Sequence, residues 1–99
     1  MAAEVIYPPE AEDDISKAYA WYEDRAPGLG EEFLRAVDAC ISAIARSPKA
    51  HRVIFKSYRR GIVRRFPYVV FYDEEGNRVT IYCVFHASHN PEKWRERLR

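Results

Sequence analysis

The stretch RRGIVRRFPYVVFYDEEG, residues 59–76, decides the fold class because β-branched and aromatic residues fill most of it. Such residues favour strands, and the acidic residues and glycine at its end are typical of a turn. Phe66-Pro67 interrupts the run, since proline has no backbone N–H to donate to a neighbouring strand. The stretch therefore predicts two strands, GIVRRF and YVVFYDEE, with a break between them.

A third strand is predicted directly after this stretch. NRVTIYCVFHA, residues 77–87, has the same composition, and Glu75-Gly76-Asn77 forms the intervening turn. The three strands are expected to form an antiparallel meander. Because side chains alternate along a strand, one face should pack on helices and the other, carrying Tyr82 and His86, should stay partly open.

The first half of the chain has the period of helices. AAEVI, residues 2–6, with Tyr7 after it, predicts a short first strand that ends at Pro8-Pro9. Apolar residues then recur every three or four positions in two segments, which APGLG (26–30) separates and Ser47-Pro48 ends. The two stripes are Ala11, Ile15, Ala18, Tyr19 and Tyr22, and Phe33, Leu34, Val37, Ile41, Ile44 and Ala45. This pattern predicts an αα-hairpin, with Trp21 packed in the core against the sheet.

NPEKWRERLR, which ends the chain, predicts a short helix with Asn90 as its N-cap and Pro91 in its first turn. The order is strand, αα-hairpin, three strands and short helix. We therefore predict one α+β domain over residues 1–99, with the hairpin on one face of a small sheet.

The composition narrows the functional class. No apolar run is long enough to cross a bilayer, and the first residues do not have the pattern of a signal peptide, so we expect a cytoplasmic protein with no membrane partner. Cys40 and Cys83 lack metal-ligand spacing and are expected to be small buried residues. There is no glycine-rich phosphate loop, no zinc spacing and no Ser/His/Asp set, so we expect no metal and no small-molecule cofactor.

The charge is distributed unevenly between the two halves. Residues 1–50 contain five Lys and Arg against ten Asp and Glu, whereas residues 51–99 contain eleven against five. Two interpretations follow: the second half carries an interaction surface for an acidic partner, or the two halves attract each other. Arg59, Arg60, Arg64 and Arg65 are the candidates for the surface, although long cations on a strand also prevent edge-to-edge aggregation.

Several motifs occur together in an order that resembles a known family. WYEDRAPGLGEEF, SP at the end of the second helix, RRFPYVVFY and VTIYCVFHASHNPEKW run over about residues 4 to 95. In this order and spacing, they resemble the RelE/ParE superfamily of toxins from type II toxin–antitoxin systems. PGLGEEF, FPYVVFY and the final strand ending in His before NP.KW are the specific parts.

The resemblance implies a small toxin with a basic, concave sheet face and a cognate antitoxin, often encoded beside it. ParE-type members inhibit DNA gyrase, whereas RelE-type members cut messenger RNA on the ribosome. Val69 stands where the ribonuclease branch commonly has arginine, and His89 stands where many relatives have arginine. These departures favour gyrase inhibition. A ribosome-dependent, metal-free endoribonuclease and a non-toxic relative that only binds antitoxin are the alternatives.

Two sets of site residues follow. For binding a target or an antitoxin, the candidates are Arg59, Arg60, Arg64, Arg65 and Tyr82. For RNA cleavage, His86 and His89 could exchange protons near neutral pH and Arg65 could stabilise the phosphorane. Enzymatic activity itself stays open at this point.

Overall fold

The computed structural model describes residues 2–98, so Met1 and Arg99, the two ends of the predicted domain, lie outside the described residues. Arg99 also ends the predicted terminal helix. Within residues 2–98, no helix is long and apolar enough to span a membrane. The elements are β1 (Glu4–Ile6), α1 (Pro9–Arg25), α2 (Leu29–Arg46), a 3-10 turn (Pro48–Ala50), β2 (Val53–Phe55), β3 (Tyr58–Ile62), β4 (Tyr68–Glu75), β5 (Arg78–His86) and α3 (Pro91–Arg97).

The predicted α+β class and the meander of β3, β4 and β5 are confirmed, but the sheet is larger than expected. Its order is β1-β5-β4-β3-β2. β1 pairs in parallel with β5, and the short β2 forms a hairpin with β3. The sequence analysis did not predict β2, whose three residues lie between Arg52 and the turn at Lys56-Ser57.

The PGLGEEF motif forms the turn of the αα-hairpin and the start of α2. Gly28 has a φ of 88°, a conformation that glycine adopts without steric cost. The Glu23 carboxylate accepts hydrogen bonds from the backbone N–H groups of Gly28 and Gly30, at 3.0 Å each. A side chain near the end of α1 therefore caps the free amides at the start of α2.

The hairpin packs on one face of the sheet, as predicted. Phe33 and Ile44 of α2 are fully buried there, against Tyr72 and Val70 of β4. Gly61 of β3 lets α2 approach closely, because a Cβ at this position would lie 2.8 Å from Cδ1 of Ile44 and 3.1 Å from Sγ of Cys40. The absence of a side chain at residue 61 therefore sets the distance between α2 and β3.

The expected alternation along β5 is wrong beyond Ile81, because a β-bulge shifts the strand by one residue. Tyr72 pairs with Ile81, but Phe71 pairs with Cys83, so Tyr82 has no residue opposite it. Beyond the bulge, Val84 packs on the helix side and Cys83 on the opposite side. His86 follows Val84 to the helix side, where its ring lies 5.3 Å from that of Tyr68.

The opposite face of the sheet was predicted to be partly open. This prediction is wrong, because α3 covers that face. Trp94 stacks on Phe71, with ring centroids 5.1 Å apart, and Leu98 is buried against the same cluster. Asn90 caps α3 as predicted, since its side chain accepts a hydrogen bond from the backbone N–H of Glu92.

An ion pair holds α3 at the outer edge of β5, beyond the end of β1. Asp14 of α1 accepts the Val84 backbone N–H at 3.0 Å and pairs with Arg97 of α3 at 2.9 Å. Arg97 also donates to the Tyr82 carbonyl at 3.1 Å. Burial alone would lower the pKa of Arg97, but the hydrogen bond and charge of Asp14 raise it. Two side chains thus satisfy backbone groups that a neighbouring strand would otherwise bind.

The predicted strand GIVRRF is wrong beyond Ile62, since residues 63–67 form a loop. Arg65 has a φ of 73°, which lies outside the strand region, and Pro67 cannot donate to a ladder. Val63 and Phe66 are buried and anchor the loop. Their apolar character gave this loop the composition of a strand.

Trp21 is not a core residue, contrary to expectation. Its side chain is 52% exposed, and the Arg25 guanidinium lies 3.9 Å from the centre of its ring. Tyr22, the next residue, occupies the core position and packs against Phe33 and Phe66. Cys40 and Cys83 are buried and unpaired, as predicted.

Candidate functional site

An open groove of about 1040 Å³ lies between α2 on one side and β3 with its following loop on the other. We call it the arginine groove, because six arginines line it and only one acidic residue, Glu32, does so. The arginines are Arg35, Arg46, Arg52, Arg60, Arg64 and Arg65. The lining of the groove is therefore strongly positive.

The spacing of α2 residues produces one wall of the groove. Ala36, Ala39 and Ala43 recur three and four positions apart and therefore lie on one side of the helix. Arg35 and Arg46 border this row at its two ends. Because alanine side chains are short, the helix leaves space for a ligand above them.

The other wall is the end of β3. Ile62 lines the groove and is 66% exposed, the highest value among the large apolar side chains of residues 2–98. Arg60 lies two residues before it and Arg64 two residues after it. An apolar contact point thus lies between two cations.

The arginines of the groove differ in how they are neutralised. Arg65 pairs with Glu32 at 2.9 Å, with their side chains 73% and 39% exposed. An exposed pair of this kind contributes only about 0.2–1 kcal/mol, so a ligand carboxylate could replace it. Neither Arg60 nor Arg64 has an ion-pair partner within the described residues. The groove therefore keeps an uncompensated positive charge.

Arg59, although predicted with this set, lies elsewhere. Its guanidinium donates to the backbone carbonyl of His51 at 2.7 Å and to that of Lys49 at 3.2 Å. These contacts hold the 3-10 turn against the sheet, beside the bond from the Tyr72 hydroxyl to the Pro48 carbonyl at 2.6 Å. Burial raises the pKa of Tyr72 to about 12, so it stays a donor at neutral pH.

Tyr82 is also separated from the groove. It lies on the face that α3 covers, where its hydroxyl donates to Asp73 at 3.3 Å and its ring is 5.1 Å from Tyr58. Burial is the main reason that the pKa values of both Tyr82 and Asp73 are raised. Three of the five predicted binding residues, Arg60, Arg64 and Arg65, therefore share one site, whereas Arg59 and Tyr82 do not.

The predicted ribonuclease residues lie in two places. The rings of His86 and His89 are 6.1 Å apart, in and just after the end of β5. The Ser88 backbone N–H donates to Nδ1 of His86 at 3.1 Å, which leaves Nε2 to carry the proton of the neutral ring. Burial, and then the charge of Lys93, lower the pKa of His89. Neither histidine lines the groove that contains Arg65.

Both interpretations of the charge distribution find support. Among residues 2–98, three of the five ion pairs join the acidic first half to the basic second half: Arg65–Glu32, Arg78–Glu4 and Arg97–Asp14. Attraction between the halves thus accounts for part of the asymmetry, and the groove accounts for another part.

The sequence did not single out Arg35 and Arg46, because both lie in the acidic first half. It did not single out Arg52 either, which lies in the basic second half but outside the arginine-rich run of residues 59–65. A helical projection of α2 would have placed Arg35 and Arg46 at the ends of the alanine row. Cys40, which also lines the groove, is nearly buried, and that burial raises the pKa of its thiol to about 11. No group of three His, Cys, Asp or Glu residues that could bind a metal occurs between residues 2 and 98.

Comparison with known families identifies the chain. The model of the family described as ParE toxin of type II toxin-antitoxin system, parDE, matches residues 5–91. The chain belongs to the ParE toxin family. This ParE-family chain is also similar to Toxin ParE2 of two Mycobacterium tuberculosis strains, CDC 1551 / Oshkosh and H37Rv. It is 35% identical to each over 81 residues, which cover 81% of this chain and 77% of the relative.

The fold agrees with that of a solved structure. The chain superposes on a chain described as the chromosomal ParDE TA system from P. aeruginosa with a TM-score of 0.76. The match covers 86% of this chain and 96% of the other, at 13% sequence identity. At that identity, the likeness concerns the fold.

Proposed function

We propose that this ParE-family protein arrests growth by binding DNA gyrase in the cytoplasm, and that a cognate antitoxin neutralises it. The observation that carries the proposal is the family match over residues 5–91. The relatives named Toxin ParE2 support the toxin role. The antitoxin partner is inferred from the ParDE systems to which the matched family and the superposed structure belong.

The arginine groove is the proposed docking site for the antitoxin. Unpaired guanidinium groups such as those of Arg60 and Arg64 attract carboxylates, and Arg65 could exchange its contact with Glu32 for one with the partner. Charge complementarity of this kind mainly increases the association rate and the selectivity. The antitoxin is therefore expected to be acidic where it contacts the groove.

An RNA-cleaving mechanism is the second candidate, because His86 and His89 are close together. The separation of Arg65 from both histidines gives that mechanism less support than target binding. A general acid, a general base and a cation must all reach the same phosphate.

Expression in bacteria tests the proposal. Inducing the protein alone should stop growth, and co-expressing its cognate antitoxin should restore growth. Purified protein should inhibit supercoiling by purified gyrase, because the proposed mechanism is contact with the enzyme. Primer extension on ribosome-bound message should show no new 5′ ends.

Each alternative predicts a different result. Discrete new 5′ ends with normal supercoiling would replace gyrase binding by ribonuclease activity. Normal growth despite confirmed soluble expression, together with tight binding of the cognate antitoxin, would indicate a non-toxic relative.

A further inference from the structure

A second group of cations surrounds the hairpin of β2 and β3, on the side of the sheet that α3 covers. Phe55 and Tyr58 pair across the two-residue turn Lys56-Ser57 of this hairpin. Phe55 and Trp94 of α3 belong to the same aromatic cluster, and their ring centroids are 5.9 Å apart. Both side chains are half-buried, so each ring keeps part of its surface open to solvent.

Two exposed cations lie over these rings. The ammonium nitrogen of Lys56 is 5.3 Å from the centroid of the Phe55 ring, and the guanidinium carbon of Arg95 is 6.0 Å from it. Arg95 also lies 5.3 Å from the centroid of the Trp94 ring. At these distances the π-electrons of the rings attract the cations. Because both cationic side chains are long and exposed, they can leave the rings to contact a ligand.

Two further cations lie opposite each other on the hairpin. The Arg60 N–H donates to the Arg52 carbonyl at 3.2 Å, so these two residues face each other across the antiparallel strands. Their Cβ atoms are then about 4.5–5.5 Å apart, and like charges in such positions repel each other. Arg60 comes two residues after Tyr58 and therefore lies on the same side of the sheet as the aromatic cluster. An anion bound between the two guanidinium groups would remove the repulsion.

Together these residues have the composition of a nucleic-acid site. We call them the cation–aromatic surface, which consists of Arg52, Phe55, Lys56, Arg60, Trp94 and Arg95. Within residues 2–98, none of its four cations forms an ion pair. Proteins that bind single-stranded nucleic acid combine free cations, which contact phosphates, with aromatic rings on which bases stack.

The backbone of Lys56 gives a further indication of a functional site. Its φ of 53° lies in the left-handed region, which glycine adopts without steric cost. Two-residue hairpin turns usually have glycine, asparagine or aspartate at such positions. Lysine therefore brings no advantage to the turn itself, whereas its ammonium group adds a cation beside Phe55. Local backbone strain of this kind is concentrated at functional sites.

We propose that the cation–aromatic surface binds single-stranded DNA, with a base stacked on Phe55 or Trp94 and the phosphates held by the four cations. The choice of DNA rests on the proposed function, because the proposed target acts on DNA. Binding without cleavage is inferred, since His86 packs against Tyr68 on the opposite side of the sheet. An acidic peptide could pair with the cations but would not use the rings for stacking.

Replacing Phe55 with leucine tests the stacking. Leucine keeps an apolar contact with Trp94 and removes the ring, so the affinity for a short fluorescent oligothymidine should fall about five- to hundredfold. Phe85→Leu is the matched control, because Phe85 belongs to the same cluster but lies beneath Arg97, at 5.1 Å, outside the surface. Circular dichroism should show that both variants are folded. Equal affinities of the two folded variants would overturn the proposal.

Replacing Lys56 with asparagine tests the phosphate contacts. For a single strand and four cations, the logarithm of the affinity should fall with the logarithm of the salt concentration with a slope of about −2.8, and Lys56→Asn should reduce the slope to about −2.1. Asparagine tolerates the left-handed conformation, so the melting temperature should not fall. Lys17→Gln removes an exposed charge on α1 and should keep the wild-type slope. An unchanged slope for Lys56→Asn would contradict contact with phosphate.

Three other ligands test the identity of the partner. A duplex should bind more weakly than oligothymidine, because its bases are already stacked and paired, and equal affinities would contradict stacking on the surface. Tighter binding of oligouridine than of oligothymidine would overturn the choice of DNA. Tighter binding of a polyglutamate peptide than of either oligonucleotide would make the surface a protein-docking site and overturn the proposal.

These measurements use purified protein, so they separate this inference from the proposed function. If the protein inhibits gyrase but does not bind oligothymidine, the inference fails and the proposed function stands. If oligothymidine binds through Phe55 and the protein neither arrests growth nor inhibits gyrase, the proposed function fails and the DNA site stands.

Discussion

Replacing both Arg60 and Arg64 with glutamate should abolish rescue by the antitoxin and leave the toxin folded. Each reversal exchanges an attractive contact for a repulsive one, so the two together should cost about 3–4 kcal/mol of binding free energy, or about 100- to 1000-fold in affinity. Neither arginine has an ion pair among residues 2–98, so the melting temperature should not change. Titration calorimetry with the purified cognate antitoxin gives the affinity.

The matched control is the double variant Lys17→Glu and Lys93→Glu. It changes the net charge by the same amount, but both lysines are exposed and neither lines the arginine groove. Its affinity should fall by much less, and the loss should disappear at high salt, because long-range attraction between exposed charges is screened. Equal losses for the two double variants would show that only the total charge matters.

Replacing Asp14 with alanine should destabilise the fold by about 3 kcal/mol, through two separate losses. The Val84 N–H loses its acceptor, and Arg97 loses the partner of a largely buried ion pair, whose side chains are 12% and 28% exposed. In a chain of this size, the melting temperature should fall by about 15 °C. Thermal unfolding followed by circular dichroism measures the change.

Two control variants test whether the loss depends on the charge of Asp14 and whether it is specific to residue 14. Asp14→Asn keeps an oxygen for the Val84 N–H and removes the charge, so it should cost about half as much. Asp13→Ala removes the neighbouring carboxylate, whose pair with Lys17 is exposed, and should cost less than about 0.5 kcal/mol. If Asp14→Ala were as mild as Asp13→Ala, the pair with Arg97 would not be what holds α3 at the edge of β5.

The parts of the fold that were predictable are those that local sequence determines. Runs of β-branched and aromatic residues predicted β4 and β5, and the two apolar stripes predicted α1 and α2. The end of β3 at Ile62 could not be predicted from composition. Val63 and Phe66 are apolar because they anchor a loop in the core, not because they belong to a strand. A positive φ at Arg65 leaves no trace in composition.

The features that depend on distant residues could not be predicted. The bulge at Tyr82 is accommodated because Asp14, 70 positions away from Val84, accepts the exposed N–H of that residue. The same holds for the site: Arg60 and Arg64 were evident from the sequence, whereas Arg35 and Arg46 join them only when α2 packs against Gly61. The sequence does not show that α3 covers Tyr82, or that Arg59 binds the 3-10 turn.

Mapping the antitoxin contact by nuclear magnetic resonance tests the central claim most directly, namely that the arginine groove is the docking site. In a titration of isotope-labelled toxin with the cognate antitoxin, the amide signals of Ile62, Arg64 and the Ala36–Ala43 face of α2 should shift most. The amides around Trp94 on α3 should change little. The largest shifts around α3, with unchanged signals at residues 60–65, would contradict the account.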